Sequence, residues 1–398
     1  MGMATGKGGT DRLSSLQALL EEAGIDVLAI TPGTTCFYLT GVWLLGSRLT
    51  LFLVPRRGQP AWVVPRLEAS RVAEGGAGSP PVFAYADGED PAGAVAAALE
   101  SVAASLGGTP RVAAMEERVA RLFEWRAVAS ALPAAEWRAA DPLLAKLRAR
   151  KDAAEIAAMR KAVDLVETAL AHASRCVSPG WREDQIATEV EKALRQLGTH
   201  SPFGVHVASG PRSAVPHAET ADRVLEPGDL VWIDVGASVD GYASDITRTF
   251  LLPPEGRETE EYATRREIYA VCYRAQAAAR QAARPGVRAG DVDAAARRVI
   301  EAAGYGEFFT HRTGHGLGLD VHEAPDIAPG SDTVLEPGMV FTIEPGIYVP
   351  GIGGVRIEDD ILITEGGSRS LTRFQRWLAP GPAPDDGEGG PVGGDGGA

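Results

Sequence analysis

Two stretches of the chain, LEPGDLVWIDVG at 225–236 and LEPGMVFTIEPG at 335–346, align without gaps at an offset of 110 residues. In each, a Pro-Gly turn signal leads into an apolar run rich in β-branched and aromatic residues, the pattern of a buried strand. Asp234 falls on Glu344, each inside the apolar run and each two residues before a glycine. The match continues downstream. Gly241 precedes Asp245 by four residues in GYASDITRTF, and Gly354 precedes Glu358 by four in GVRIEDDILI. Upstream, PGWREDQIATEVEKALRQLG resembles PGVRAGDVDAAARRVIEAAG, a helical segment ahead of each strand set. The period is too long for a solenoid. It constrains the chain to an α+β unit built of two helix-then-sheet copies, with their sheets meeting at a pseudo-twofold centre.

The first copy predicts its own register. If Asp240-Gly241 form a two-residue hairpin turn, Val239 pairs with Tyr242 and Asp234 faces Thr247. Alternation then puts Asp245 on the same face as Asp234, as its diagonal neighbour. Glu344 and Glu358 should take the equivalent places in the second copy, so four carboxylates converge. A lone buried charge costs several kcal/mol, and four cannot all stay ionised without cations. One answer pairs each acid with an arginine, with Arg248 and Arg356 as nearby candidates. The other is a pair of metal ions about 3.5–4 Å apart, held by bridging and terminal carboxylates. Four acids that obey one internal symmetry favour the ions.

A second cluster, HRTGHGLGLDVHEAP at 311–325, brings three of the seven histidines together. Its glycines let backbone approach a site closely. His315 and His322 are seven residues apart, so they need not serve the same ion. No H-E-x-x-H occurs, and the glycines neither follow a strand nor open a helix, so zincin and dinucleotide-binding readings fail. No G-x-S-x-G or Walker motif is present.

The remainder reads as organisation around this core. Residues 1–10 are Gly-rich and expected to be disordered. A helix from Asp11, apolar runs at IDVLAIT, LTLFLVP, PAWVVP and RVAAME, and a helix at DPAGAVAAALESVAASLGG predict a smaller α/β domain over 11–148. A second domain, 151–378, opens with Asp152 and Glu155 spaced as a capping box, and Pro179-Gly180 ends that helix. Residues 379–398 have little apolar content and read as a disordered tail.

The formal charge of −14, from 39 basic and 53 acidic residues, argues against nucleic-acid binding, which needs basic surface. Cys36, Cys176 and Cys272 lie far apart without a C-x-x-C pair. They form neither a disulfide framework nor a zinc ribbon, and suit a reducing compartment. The apolar region YLTGVWLLGSRLTLFLVP is broken by Gly41, Gly46 and Arg48 before it reaches the roughly 18 residues of a membrane span. With no signal-like segment in MGMATGKGGTDR, the expectation is a cytoplasmic protein that engages neither membrane nor nucleic acid.

The acidic and histidine motifs together resemble those of the pita-bread metallopeptidases: Xaa-Pro dipeptidases (prolidases), aminopeptidase P and methionine aminopeptidase. The likeness spans residues 150–378, and residues 1–148 resemble the creatinase-like N-terminal domain of the proline-specific members. Methionine aminopeptidases usually lack that domain. The resemblance implies an α+β fold: a pita-bread catalytic domain preceded by a smaller α/β creatinase-like domain. It implies five metal ligands, Asp234, Asp245, His315, Glu344 and Glu358, holding two divalent ions. A carboxylate-rich set with one imidazole suits Mn²⁺, with Co²⁺ or Zn²⁺ as substitutes.

It further implies catalytic roles for His217, His322 and Glu344, and substrate contacts from His311, Arg356 and Tyr348. The implied reaction is hydrolysis of the Xaa-Pro bond of dipeptides or peptide N-termini by a metal-bridging hydroxide, in a homodimer. Two alternatives stand beside it: an amidohydrolase of small amides, like creatinase or ectoine-derivative hydrolases, and a non-enzymatic binding module of the same fold. One departure bears on substrate length. Several dipeptidases carry an arginine directly after the HExP segment, where this chain has Asp326. The short spacing between Glu344 and Glu358 is in turn more prolidase-like.

Overall fold

The runs VLAI, LFLVP and AWVVP are buried at every residue, and strands this uniformly apolar need cover on both faces. In the computed structural model, which describes residues 8–74 and 79–385, they form β1 (Val27–Ile30), β2 (Leu51–Pro55) and β3 (Ala61–Pro65). With β4 (Val82–Tyr85), β5 (Val112–Met115) and β6 (Glu136–Ala139) they build a six-stranded sheet, ordered β4-β3-β2-β1-β5-β6. β2 is antiparallel to both β1 and β3, and the outer pairings are parallel. The accompanying helices are α1 (Gly8–Ala23), α2 (Thr34–Thr40), α3 (Ala69–Ala73), α4 (Ala92–Leu106), α5 (Leu122–Ala131) and α6 (Asp141–Ala149). α4 buries Val95, Leu99 and Val102 against β2 and β3. α1 starts at Gly8, ahead of the expected Asp11; residues 1–7 and 386–398, expected to be disordered, lie outside the described residues.

The chain divides into Met1–Arg148 and Ala149–Ala398. The second unit opens with α7 (Ala153–Ala173), whose cap is reciprocal. Asp152 Oδ1 accepts from the nitrogens of Ala154 and Glu155, and Glu155 Oε2 accepts from the Asp152 nitrogen, each at 2.8 Å. Such a box satisfies otherwise orphaned helix donors at both ends of the exchange. Next come α8 (Glu183–Gln196), β7 (Val205–Ser209), β8 (Leu230–Val239) and β9 (Tyr242–Leu251), a three-stranded sheet in that order. Then follow α9 (Glu260–Ala282), α10 (Ala289–Ala302), β10 (Gly314–Gly316), β11 (Glu323–Ile327), β12 (Val340–Ile343), β13 (Gly346–Val349), β14 (Gly353–Arg356), β15 (Asp359–Thr364) and β16 (Gly367–Ser370). Their sheets are β11-β10-β12-β15-β16 and the pair β13-β14.

The internal repeat becomes two cores. Val231 and Ile233 on β8 pack against Val166, Leu170, Ile186 and Val190 of α7 and α8. Phe341 and Ile343, at the same positions of the second copy, pack against Ile268, Cys272, Val292 and Ala296 of α9 and α10. In both copies the strand's other face is thereby turned toward the centre. Among the described residues, no helix is long and apolar enough to cross a membrane.

The first hairpin has the expected register: Val239 pairs with Tyr242, Asp234 with Thr247 and Gly236 with Asp245. Asp240 and Gly241 sit at φ 53° and 86°, the left-handed pair this turn requires. The second hairpin differs. Gly354 is not the counterpart of the turn residue Gly241; it lies within β14 opposite Tyr348. The pairings Ile343–Asp359 and Gly346–Arg356 set Glu344 directly across from Glu358, where the ladder between β12–β15 and β13–β14 is interrupted. Glu358 therefore takes the register place of Thr247, because the second turn is one residue longer. The acids still converge, since the two hairpins lie side by side. The Glu358 nitrogen donates to the Thr247 carbonyl at 3.1 Å, and the Thr247 hydroxyl donates to Glu358 Oε2 at 2.7 Å.

Candidate metal centre

β8 and β9 deliver Asp234 and Asp245, β10 delivers His315, and the interrupted second hairpin delivers Glu344 and Glu358. Donor atoms of Asp245, His315 and Glu358, all buried, lie within 4.8 Å of one another. His315 Nε2 is 3.2 Å from Glu344 Oε1 and 3.8 Å from Asp245 Oδ2. Its other nitrogen, Nδ1, lies 3.1 Å from the Gly316 carbonyl. A carbonyl can only accept, so Nδ1 carries the proton and Nε2 turns a lone pair toward two carboxylate oxygens. Only a proton or a metal cation between them makes that arrangement favourable.

Two further observations test the fit to metal. Among the described residues, Asp234 Oδ1 and Asp245 Oδ1 are buried without a hydrogen-bond partner, which native structures rarely leave uncompensated. By protein charges alone, burial and the neighbouring carboxylates push Asp245 and Glu358 well above the usual carboxylate range. Burial pushes Glu344 the same way, but the His315 ring, His311 and Arg356 outweigh it and hold Glu344 at about 2. Carboxylate oxygens with one imidazole are a hard donor set suited to divalent cations. The residues fit.

Arginine neutralises only part of this charge. Arg356 Nη2 donates to Asp234 Oδ2 at 2.7 Å, while its Nε donates to the Thr247 hydroxyl at 3.0 Å and its Nη1 to the Tyr348 hydroxyl at 2.9 Å. The guanidinium lies 4.7 Å from the centre of the buried Trp232 ring. Arg248 turns away from the four acids: it pairs with Asp359 at 2.7 Å and donates to the Glu358 carbonyl rather than to its carboxylate. The two candidate arginines therefore divide, one onto Asp234 and the other onto the strand beneath Glu358.

The remaining expected residues surround a cavity of about 500 Å³. His217 and His322 are exposed on its wall, and the His322 ring centre is 4.2 Å from that of His315. Although its outer edge meets solvent, partial desolvation of the ring against the cavity wall, then the charges of His315 and Arg312, lowers the His322 pKa. His311 Nδ1 faces the Arg312 carbonyl at 2.7 Å, so its Nε2 accepts from the Tyr348 hydroxyl at 3.0 Å. Burial keeps His311 neutral and pushes the Tyr348 phenol up to about 12.

Residues 157–365 match the family described as Metallopeptidase family M24, and residues 12–150 match the Creatinase/Prolidase N-terminal domain. The chain belongs to metallopeptidase family M24. Its second unit is the family's pita-bread catalytic fold, its first the creatinase-like domain. Among curated relatives, it is 41% identical over 369 residues to the probable dipeptidase PepE of Mycobacterium tuberculosis, covering 90% of this chain and 93% of that one. It is 44% identical over 244 residues to the Xaa-Pro dipeptidase of Pyrococcus furiosus, covering 61% and 68%. Solved structures agree. Dipeptidase PepE from Mycobacterium ulcerans superposes with a TM-score of 0.85 at 38% identity, over 95% of this chain and 99% of that one. The prolidase from Thermococcus sibiricus gives 0.83 at 32% identity, over 95% and 100%.

The cavity of this M24 chain also has walls that sequence reasoning missed. Phe203 and His206 line it, with parallel rings. His206 is the β7 partner of Asp234, but nothing in the sequence marks β7 as its neighbour. Trp232, which does not line the cavity but lies buried against the Arg356 guanidinium, was legible in principle, since it stands two residues before Asp234 and so on the same strand face. Arg312 lines the cavity beside His311, hidden in the histidine motif by the histidines themselves.

Proposed function

We propose that the chain is a dinuclear-metal peptidase that hydrolyses the Xaa-Pro bond of dipeptides or peptide N-termini. The observation that carries this is the buried meeting of Asp245, His315 and Glu358; among the described residues neither of the two carboxylates forms an ion pair with an arginine. The relatives named Xaa-Pro dipeptidase and prolidase support the substrate class.

In this reading Asp234, Asp245, His315, Glu344 and Glu358 hold two divalent ions, with Mn²⁺ as the native metal. When bound, the ions supply a water acidified toward neutral pH and an electrophile for the scissile carbonyl. His322, neutral at pH 7, donates its ring N–H to the developing oxyanion. Glu344, ionised across the neutral range, accepts a proton and passes it to the leaving imide nitrogen. His217 borders the substrate, and His311, Tyr348 and Arg356 form one hydrogen-bonded wall behind it. Proline brings no N–H, so the pocket reads its shape. The three free cysteines support a cytoplasmic setting. Exposed Trp43, Leu45 and Phe123 support a homodimer, and sedimentation equilibrium giving a monomer mass overturns that part.

The test is hydrolysis of Ala-Pro by chelator-treated protein, with and without Mn²⁺. Activity vanishes on chelation, returns with Mn²⁺ and does not return in Asp245→Asn. Turnover that survives either chelation or Asp245→Asn overturns the reading.

A further inference from the structure

His322 ends the segment that joins β10 to β11, and its ring leans on that of His315, the two centres 4.2 Å apart. Among the described residues no hydrogen bond holds the ring itself. Its place on the cavity wall is therefore set by the backbone that carries it. The next residue ties that backbone down.

The Glu323 carboxylate folds back onto the segment. Its Oε2 lies 3.5 Å from the Asp320 nitrogen. It is also so close to Gly318 that an added Cβ would meet Oε1 at 2.5 Å and Cδ at 2.8 Å. Lys151 Nζ reaches Oε1 at 2.8 Å, with 1% of the lysine side chain and 9% of the glutamate exposed. Lys151 immediately precedes the cap residue of α7, and its backbone nitrogen donates to the Gly338 carbonyl at 2.8 Å. The other end of the segment is fastened too. The Gly318 carbonyl accepts from the Ala243 nitrogen at 2.8 Å, and Leu317 packs with Met159 and Val163 of α7. A buried ion pair is weak evidence for stability, because desolvation offsets much of the attraction, yet separating its partners is strongly unfavourable. The pair thus fixes where the Glu323 side chain lies, and with it the backbone of His322. Neither Lys151 nor Glu323 lines the cavity.

We propose that the Lys151–Glu323 ion pair positions His322, holding its ring where the N–H reaches the developing oxyanion. The assignment rests on the Xaa-Pro reading above. Lys151 and Glu323 are positioning residues: they act on the reaction only through the ring of the neighbouring histidine. A misplacement of about 1 Å in such a group costs up to roughly a hundred-fold in rate.

The experiment measures kcat and KM for Ala-Pro with the Mn²⁺-loaded full chain in wild type, Glu323→Gln, His322→Ala and the variant carrying both changes. Glu323→Gln keeps the side chain's shape and removes the charge that Lys151 holds. It lowers kcat roughly ten-fold or more with KM little changed. Once His322 is gone, the same change costs less than about two-fold, because the two residues act as one unit. Lys151→Met/Glu323→Gln, which buries no unpaired charge, unfolds thermally close to the wild type without regaining kcat. In the metal-free protein, the His322 ring proton resonances, identified by their loss in His322→Ala and displaced by the His315 ring, move toward those of free histidine in Glu323→Gln. Equal losses of kcat in both backgrounds, a kcat that returns together with stability, or an unmoved His322 resonance overturns the assignment. So does an unchanged kcat in Glu323→Gln. If His322→Ala alone loses nothing, the assignment falls while Xaa-Pro hydrolysis stands. If the loaded wild type does not cleave Ala-Pro, the parent reading falls and takes this assignment with it.

Discussion

Asp293 Oδ1 receives two hydrogen bonds from Thr313, one from the backbone nitrogen at 3.1 Å and one from the hydroxyl at 2.8 Å. The Thr313 carbonyl in turn accepts from the Glu344 nitrogen at 2.7 Å. A buried acid on α10 therefore fixes the strand entry between His311 and His315 and, through one residue, the acid opposite. Arg297, one helical turn on, brackets both Asp293 oxygens at 3.0 Å and donates to the His311 carbonyl. Asp293→Ala strips Arg297 and Thr313 of their shared partner. Breaking a pair of this kind costs about 3–5 kcal/mol, read as a lowered midpoint in urea, and Asp293→Asn costs less. A loss below about 1 kcal/mol for the alanine variant contradicts the role.

Arg356 and Asp234 give a second test, because the arginine is enclosed between Asp234, Tyr348 and the Trp232 ring. Arg356→Met leaves Asp234 beside three other acids without its counter-charge. The expected loss is several kcal/mol, and Asp234→Asn on the same background recovers part of it. A double-mutant cycle should yield a coupling of about 1–3 kcal/mol; strictly additive losses mean the contact carries no energy.

The sequence reading reached the centre of the fold because the hairpin and its duplication are local. Val239–Tyr242 and Asp234–Thr247 pair as a two-residue Asp-Gly turn requires, and the capping box at Asp152 needs only four residues. It failed where register depends on the length of a turn. Aligning Gly354 with Gly241 put Glu358 at the place of Asp245, whereas the longer second turn puts it at that of Thr247. Short elements such as α2, α3 and β6 escaped because none is long enough to show a period. Asp293 and Arg312 escaped for another reason. Their importance lies in partners from other elements, and no spacing along the chain announces a helix carboxylate that holds a strand threonine.

Metal binding should be visible in stability as well as in activity. At a hundred times its Kd, an ion adds about 2.7 kcal/mol to the folded state, roughly 5–10 °C for a unit of this size. The pH sign follows from Asp245 and Glu358, whose folded pKa values stand above the ordinary range through burial and mutual repulsion. Protonation stabilises the metal-free fold, and that advantage is lost as pH rises through the raised values. Since ligands must be deprotonated to bind, the Mn²⁺-induced shift grows over the same window. Scanning calorimetry at pH 5.5 and pH 8, with and without Mn²⁺, measures it. A shift independent of pH, or one retained in Asp245→Asn, contradicts the proposed ligand set.

Gly316 offers the sharpest test of how the histidine strands are fitted. It sits at the register irregularity of β10, paired to Glu323 on one side and Phe341 on the other. A Cβ there would lie 2.1 Å from the Ala324 carbonyl oxygen and 2.2 Å from its carbon. Those are backbone atoms, which cannot swing aside as a flexible side chain can. Gly316→Ala must therefore part β10 from β11, and these strands and their junction carry His315 and His322. Overpacking of this sort costs roughly 1–3 kcal/mol, and the Mn²⁺ affinity measured by calorimetry should fall with it. Gly93, near the start of α4, is the contrast. Nothing lies within 4 Å of an added Cβ there, and Gly93→Ala should stabilise its helix by roughly 0.5–1 kcal/mol without touching metal affinity. If Gly316→Ala binds Mn²⁺ as tightly as the wild type, the spacing of β10 and β11 does not set the geometry of the centre.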